Sequence, residues 1–317
     1  MVRGRSAPIP ADLPVPPTGR LVVFGPNGAG KSTLLRHEFA TRTDVAYLPQ
    51  HTWMLRGPAH RTLTIGLGRM ERARAEEWAR QLGVADTLDR RGRSLSGGEQ
   101  KRVNLARVLA SNAKVLLLDE PLAPIDRLDR GLVIRSIAEA AEGRVAVVVA
   151  HDRDVVAMLA TEVAVLVDGV VRQQGPVAEV MHAPASEDIA RVIGVENVLV
   201  GAISDVTDAM CTVVCGPVSI SARRSDSLDL GDRVAVMFGA ETVLVSLDDA
   251  TTSAQNHWGG TVDSIVRLGS LVQLTVNVGV PVIAVITPAA QDALEVEQGT
   301  AVFVSVKATA VRAVERA

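Results

Sequence analysis

The stretch Gly25-Pro26-Asn27-Gly28-Ala29-Gly30-Lys31-Ser32-Thr33 constrains this chain more than any other. It follows a short apolar run, Leu21-Val22-Val23-Phe24, and precedes the helix-capable Leu34-Leu35-Arg36-His37-Glu38. A buried strand, a loop of the form G-x-x-x-x-G-K-S and a helix together make a phosphate cradle. Glycines reach backbone conformations closed to other residues, so successive N–H groups converge on phosphate oxygens. The helix start adds its positive dipole end. In that frame Lys31 reaches the β- and γ-phosphates and the Ser32 hydroxyl ligates Mg²⁺.

Composition narrows the rest. With 317 residues, 47% of them hydrophobic, the chain has room for one or two domains with their own cores. Aromatic residues make up only 3%, so those cores must be built from Val, Leu, Ile and Ala. A net charge of −3 gives no footprint for nucleic acid. Cys211 and Cys215 lack the His/Cys companions of a zinc site and read as ordinary thiols, in keeping with a reducing cytoplasm. No apolar run approaches the roughly 18 residues of a membrane span. Met1-Val2-Arg3-Gly4-Arg5 lacks the apolar core of a signal peptide.

Along the chain, Pro8, Pro10, Pro14, Pro16 and Pro17 make residues 1–17 an extended, poorly ordered lead-in. A nucleotide domain is expected over 18–180. Within it Val45–Leu48 reads as a short strand, 69–82 as an exposed helix and 99–110 as a second helix with Val103, Ala106 and Leu109 on one face. Val115–Leu118 and Val145–Val149 are apolar throughout, which suits parallel strands covered on both faces. A helix over 129–142 joins them in βαβ style. Residues 181–196 read as a connector. From 197 to 317 helical patterns vanish and short Val-rich segments alternate with Gly, Asp and Ser turns, a small all-β, OB-like domain. It echoes itself. Gly231, Val234, Val236 and Val243 return 68 positions on as Gly299, Val302, Val304 and Val311, while Asn197 and Gly201 return 59 positions on as Asn256 and Gly260. Two related β units with unequal loops are expected.

Two acids follow the run Val115–Leu118, at the strand end where ligands sit in open α/β sheets. Asp119 is placed to hold Mg²⁺ and Glu120 to polarise a water attacking the γ-phosphate. Leu95-Ser96-Gly97-Gly98-Glu99-Gln100 opens the helix at 99–110. Ser96 and Glu99 have capping-box spacing, and the two glycines add a second cradle of N–H groups. This hexapeptide resembles the signature of the ABC transporter ATPases. The resemblance implies further roles. Gln50 matches the Q-loop glutamine, which senses the γ-phosphate, joins Ser32 and Asp119 at the metal, and couples to a membrane partner. His151 resembles the switch histidine. Asp126 resembles the D-loop aspartate, although Pro124-Ile125-Asp126 departs from Ala-Leu-Asp. In that family two copies sandwich two ATP molecules. The resemblance thus implies a homodimer in which Ser96, Gly97 and Gly98 complete the phosphate site of the other copy. It also implies two permease subunits, an indirect link to a periplasmic-type binding protein and a place on the cytoplasmic face of a bacterial membrane. Two departures bear on adenine. No aromatic precedes Phe24, and only 19 positions separate Lys31 from Gln50. The antiparallel subdomain that grips the base is expected to be trimmed.

The C-terminal segment 253–315 resembles the molybdate-binding Mop/TOBE domain. The resemblance lies in Ser253-Ala254-Gln255-Asn256, Ile286-Thr287 and Lys307-Ala308-Thr309-Ala310-Val311, with Gln255 where the family has arginine. An oxyanion wants N–H and O–H donors with a cation, so Ser253, Thr287, Lys307 and Thr309 are the candidate ligands. The chain therefore reads as an α/β P-loop NTPase of the ABC type followed by a Mop/TOBE domain. The expected activity is ATP hydrolysis driving uptake of molybdate or tungstate. Importers of sulfate, iron, polyamines or sugars carry similar β domains and remain alternatives. So does an oxyanion-binding regulator with a decaying cassette. A soluble ABC ATPase acting on ribosomes or DNA would need two cassettes or a basic insert, and the sequence has neither.

Overall fold

Val115–Asp119 and Val145–Ala150 lie side by side and buried along their whole length at the heart of a six-stranded sheet. Such runs, apolar on both faces, are stable only where layers cover both sides. The computed structural model describes residues 13–225, 227–249 and 251–316. The chain divides into two units, Met1–His182 and Ala183–Ala317.

In the first unit the elements run β1 (Gly19–Phe24), α1 (Lys31–Glu38), β2 (Val45–Leu48), α2 (Ala59–Thr64), α3 (Arg69–Gln81), α4 (Gly97–Ala110), β3 (Val115–Asp119), α5 (Arg127–Ala140), β4 (Val145–Ala150), α6 (Arg153–Leu159), β5 (Glu162–Val167), β6 (Val170–Pro176) and α7 (Val177–His182). The spatial order is β2-β3-β4-β1-β5-β6. The strands are parallel except β6, which folds back on β5. Register sets Phe24 beside Ala150, Asp119 beside Val149 and Leu48 beside Leu118. The residues that follow those strand ends therefore emerge along one edge.

One expectation changes here. Leu13 is buried and joins Val15 in the core beside β1, and Gln174 Nε2 donates to the Pro14 carbonyl at 2.6 Å. Residues 13–17 are thus packed rather than loose; Pro8 and Pro10 lie outside the described residues. Between Lys31 and Gln50 the described residues form only α1 and β2. Among the described residues, antiparallel pairing in this unit consists of the β5–β6 hairpin and an isolated Pro58–Arg91 bridge.

The second unit begins with α8 (Glu187–Ile193), inside the stretch read as a connector. Ala190 packs there with Ala235, Met237 and Val314, so the segment is part of the β unit. Strands β7 (Asn197–Val206), β8 (Met210–Cys215), β9 (Val218–Arg223) and β10 (Arg233–Phe238) follow, then β11 (Leu244–Ser246), β12 (Asn256–Leu268), β13 (Leu271–Asn277), β14 (Pro281–Ile286), α9 (Pro288–Ala293), β15 (Ala301–Val306) and β16 (Arg312–Glu315). They make a closed barrel, β10-β16-β9-β8-β7, and a sheet, β11-β15-β12-β13-β14. Each set borrows its last strand. β11 follows β10 yet pairs with β15, and β16 follows β15 yet pairs with β10. Both sequence offsets recur in hydrogen bonds. Gly231 N donates to Ile203 O at 2.9 Å, and Gly299 N donates to Val262 O at 2.8 Å. A Cβ on Gly201 would strike the Val214 carbonyl, and one on Gly260 the Asn277 carbonyl.

The echoed asparagines cross between the halves. Buried Asn197 accepts from Ile283 N at 2.7 Å and donates to Ile283 O at 2.8 Å. Buried Asn256 does the same to Ser221, at 2.7 and 2.9 Å. Each side-chain amide pairs with the backbone of β14 or β9 as a neighbouring strand would. Asn256→Ala leaves the Ser221 N–H and carbonyl unpaired and is expected to destabilise this unit by about 2–4 kcal/mol in chemical denaturation, because an orphaned buried group costs about 1–3 kcal/mol. A loss below about 0.5 kcal/mol, the level of ordinary surface changes, would refute this role.

Candidate functional site

The glycine loop leaves β1 and turns into α1 through Gly28 (φ 82°) and Gly30 (φ 92°), both in the left-handed region. Gly30 is the N-cap of α1 and supplies no side chain, so the first-turn N–H groups have no side-chain cap. Lys31 is buried and bends back over the loop, its ammonium donating to the carbonyls of Gly25 and Pro26, each at 2.8 Å. Burial lowers its pKa, against the opposing pull of Glu120 and Asp119. The Ser32 hydroxyl donates to Asp119 Oδ1 at 3.0 Å. Asp119 is fully buried, and its second oxygen accepts from the Tyr47 hydroxyl at 3.2 Å.

One residue further, Glu120 adopts φ 46°, a conformation that costs a non-glycine residue about 1–3 kcal/mol. Its N–H is held by the Val149 carbonyl at 3.2 Å. Its two carboxylate oxygens are shared. Gln50 Nε2 donates to Oε2 at 3.1 Å, and His151 Nδ1 lies 3.2 Å from Oε1. Gln50, Glu120 and His151, from three strand ends, thus meet at one carboxylate. A cleft beside it is lined by Glu120, Ala123, Arg130, His151 and Asp152.

Ser96 is the N-cap of α4. Its hydroxyl accepts from Glu99 N at 3.2 Å, and Glu99 Oε2 accepts from Ser96 N at 2.7 Å, a full capping box. The glycines have a packing reason besides any anion. A Cβ on Gly97 would lie 3.1 Å from the Pro124 ring and one on Gly98 3.3 Å from the Pro124 carbonyl. Ser96 and Gly97 remain exposed, as does Asp126, the N-cap of α5, and Leu128 beyond it is 97% exposed.

Two residues at this site escaped the sequence reading. Lys101 is fully buried in α4 and donates to the carbonyls of Pro49 (3.0 Å), Gln50 (3.0 Å) and Asp119 (3.1 Å). Burial pulls its pKa down to about 8, although Asp119 and Glu120 favour the charge. Its spacing to Leu105 and Val108 put it on the apolar stripe of the helix, the one available clue. Tyr47, the chain's single tyrosine, is the penultimate residue of β2, two positions before Pro49. Burial, then Asp119, raises its pKa.

In the second unit Asn256 pairs with Val306, so Ser253 and Gln255 just before β12 and Lys307 and Thr309 just after β15 sit at one end of the sheet. Thr287 follows β14, which pairs at that point with the start of β13, at the other end. There its hydroxyl caps α9 by accepting from Ala290 N at 3.1 Å. Strand register therefore separates Thr287 from Ser253, Lys307 and Thr309 within this sheet.

The chain is similar to known proteins. The family described as ABC transporter matches residues 37–123, and the TOBE domain matches 252–313. The chain is 31% identical over 324 residues to the molybdate/tungstate import ATP-binding protein WtpC of Pyrococcus horikoshii, covering 92% of this chain and 90% of that one. It is 34% identical over 333 residues to the molybdenum import ATP-binding protein ModC of Mycobacterium tuberculosis (91% and 89% covered). It is 29% identical over 320 residues to the Fe(3+) ions import ATP-binding protein FbpC 1 of Rhizobium meliloti (92% and 89%). Among solved structures, a bacterial Atm1-family ABC exporter with ATP bound superposes with a TM-score of 0.50 at 24% identity, over 56% of this chain and 36% of that one, a likeness of fold.

Lys31→Ala removes the loop's only side-chain cation and is expected to raise the Kd for ATP about 10- to 100-fold in calorimetry, the worth of a hydrogen bond to a charged group. Unchanged affinity would remove Lys31 from the phosphate site.

Proposed function

Because the chain belongs to the ABC transporter ATP-binding family and carries a C-terminal TOBE domain, we propose that it is the ATP-hydrolysing subunit of an importer for molybdate or tungstate. It is an ATPase whose turnover is coupled to import. The observation that carries the assignment of roles is the Glu120 carboxylate held between Gln50 and His151, on the strand edge from which the Lys31 loop emerges.

The roles follow from chemistry. Gly25 to Thr33 wrap the phosphates, and Lys31 exchanges its two loop carbonyls for phosphate oxygens. Glu120 takes the proton of the attacking water as general base. His151 and Gln50 fix the orientation of that carboxylate. Ser32, Asp119 and Gln50 offer the hard oxygen donors that suit Mg²⁺, and buried Asp119, which accepts only soft restraint from two hydroxyls, fits such an ion. Bound there, the ion would neutralise charge on the phosphate oxygens.

Exposed Ser96, Gly97, Asp126 and Leu128 support a second copy across the nucleotide, with the signature acting in trans. None of the helices among the described residues is long and apolar enough to cross a membrane. Membership of the ABC importer ATPases supports permease partners at whose cytoplasmic face the ATPase docks. Relatives that import molybdate, tungstate or molybdenum favour that substrate class. Lys307 with Ser253 and Thr309 suits an oxyanion in the C-terminal domain, whereas Thr287 serves its cap. The iron-importing relative supports a second reading, ferric uptake.

Glu120→Gln is expected to bind ATP, to lower kcat by about 10²- to 10⁴-fold, and to accumulate as an ATP-bound dimer in size-exclusion chromatography. Equal turnover by wild type and variant would reject the catalytic role. Membrane vesicles carrying the chain with its permease should take up labelled molybdate in competition with tungstate. Uptake of ferric ion without molybdate would overturn the oxyanion reading and leave the ATPase reading standing.

A further inference from the structure

The buried ammonium of Lys101 has no part in the scheme above, yet it touches two of its residues, Gln50 and Asp119. It stands one turn into α4, whose N-cap and first two residues are the Ser96-Gly97-Gly98 signature. Its three donors meet three main-chain carbonyls and no carboxylate. Two carbonyls belong to Pro49 and Gln50, the turn that aims the Gln50 side chain at Glu120. The third belongs to Asp119, whose peptide carbonyl leads into Glu120. A fully buried lysine forgoes hydration that a buried methionine would never have had. Packing alone therefore gives no reason for a charge here. A tripod of three N–H donors from one atom does, because it locks three backbones at one point. Arg102, the next residue, ties the same helix to the Leu82 carbonyl (3.2 Å) and to Asp129 in α5 (2.9 Å), just past Asp126.

We propose that Lys101 is a positioning residue that couples the Gln50 turn and the Glu120 strand end of one nucleotide site to the signature helix serving the other. This rests on the dimeric ATPase reading given above. Within one subunit, a shift of Gln50 on nucleotide binding moves its own carbonyl. Through Lys101 that shift is passed to α4, and so to the Ser96 cradle that faces the partner's phosphates. Coupling of this kind appears as cooperativity between two sites, not as affinity at one.

The test compares wild type, Lys101→Gln and Lys101→Arg in the full chain reconstituted with its permease, with MgATP as the varied substrate. Wild type is expected to show a Hill coefficient above 1. Lys101→Gln should keep its KM within about 3-fold, lose about 10-fold or more in kcat, and fall to a Hill coefficient of 1, a ratio set by the loss of one or two hydrogen bonds in the assembled state. Lys101→Arg keeps the charge, but its planar fork cannot serve three carbonyls from one atom, so partial rescue, about 3-fold below wild type in kcat, is expected. Wild-type kcat and Hill coefficient in Lys101→Gln, with only the thermal midpoint lowered, would reduce Lys101 to a packing role and overturn the proposal. A Hill coefficient of 1 in wild type would overturn it as well. Should Lys101→Gln fail to fold, Lys101→Arg decides: kcat and cooperativity equal to wild type would refute the coupling. A wild-type chain that neither hydrolyses ATP nor dimerises in it would instead defeat the functional reading beneath.

Discussion

The site exists because four strands end level with one another. Phe24 lies beside Ala150 and Asp119 beside Val149, so the phosphate loop, Glu120 and His151 are each the next residues out along a single edge. β2 adds Gln50 by the same registry, two residues past Leu48. None of the four comes from a neighbouring stretch of sequence. Registry in turn depends on burial. With both faces of β3 and β4 covered, a one-residue slip would exchange every side chain between the two packed layers. The Val and Leu side chains that look like filler thus set the spacing between the lysine of the loop and the acid that works with it.

That edge gathers opposite charges out of water. Lys31 at the start of α1, Lys101 in α4 and Asp119 at the end of β3 are all buried. Uncompensated, any of these ions would carry a penalty of several kcal/mol. The compensation is unusual in kind. Both ammonium groups are satisfied by backbone carbonyls, Lys31 by its own loop and Lys101 by the two flanking turns, while the carboxylates of Asp119 and Glu120 accept from hydroxyls, an amide and an imidazole. Direct ammonium–carboxylate pairing would tie up the groups that nucleotide and water must meet. Carbonyls hold the lysines without cancelling them.

What the sequence revealed follows from how local each feature is. The loop 25–33 is legible because glycine, lysine and serine at fixed offsets leave few other uses for the pattern. β3 and β4 are legible because uninterrupted apolar runs admit few placements. Lys101 was hidden, since its partners lie 52, 51 and 18 positions away and a lysine in an Ala/Val/Leu helix reads as a solvent-facing residue. Tyr47 was hidden for the same reason, with Asp119 72 positions off. α8 was missed because seven residues carry too little periodicity to stand out, and its helix is held by packing of Ala190 on the β unit. Thr287 was an oxyanion candidate by family resemblance, but a threonine just before Pro288 is equally a helix cap, and only strand register chooses between them.

The two sequence offsets of the C-terminal half come from connections of unequal length between its two related β units. Here β7 and β12 correspond at 59 positions, while everything from Gly231 and Gly299 onward corresponds at 68, α9 lying in the longer connection of the second half. Each half completes itself with a strand of the other, and each buries an asparagine against the other's backbone. The hydrophobic cluster accordingly runs through both, from Ile203 and Ile220 to Val282 and Val304. Neither half retains a closed set of hydrogen bonds when separated, so the duplication behaves as one folding unit. That constraint explains why the second half can keep Lys307 while the first has Gly239 in the matching place: chemistry can be lost from one copy as long as the strands and the two asparagines that lock them are kept.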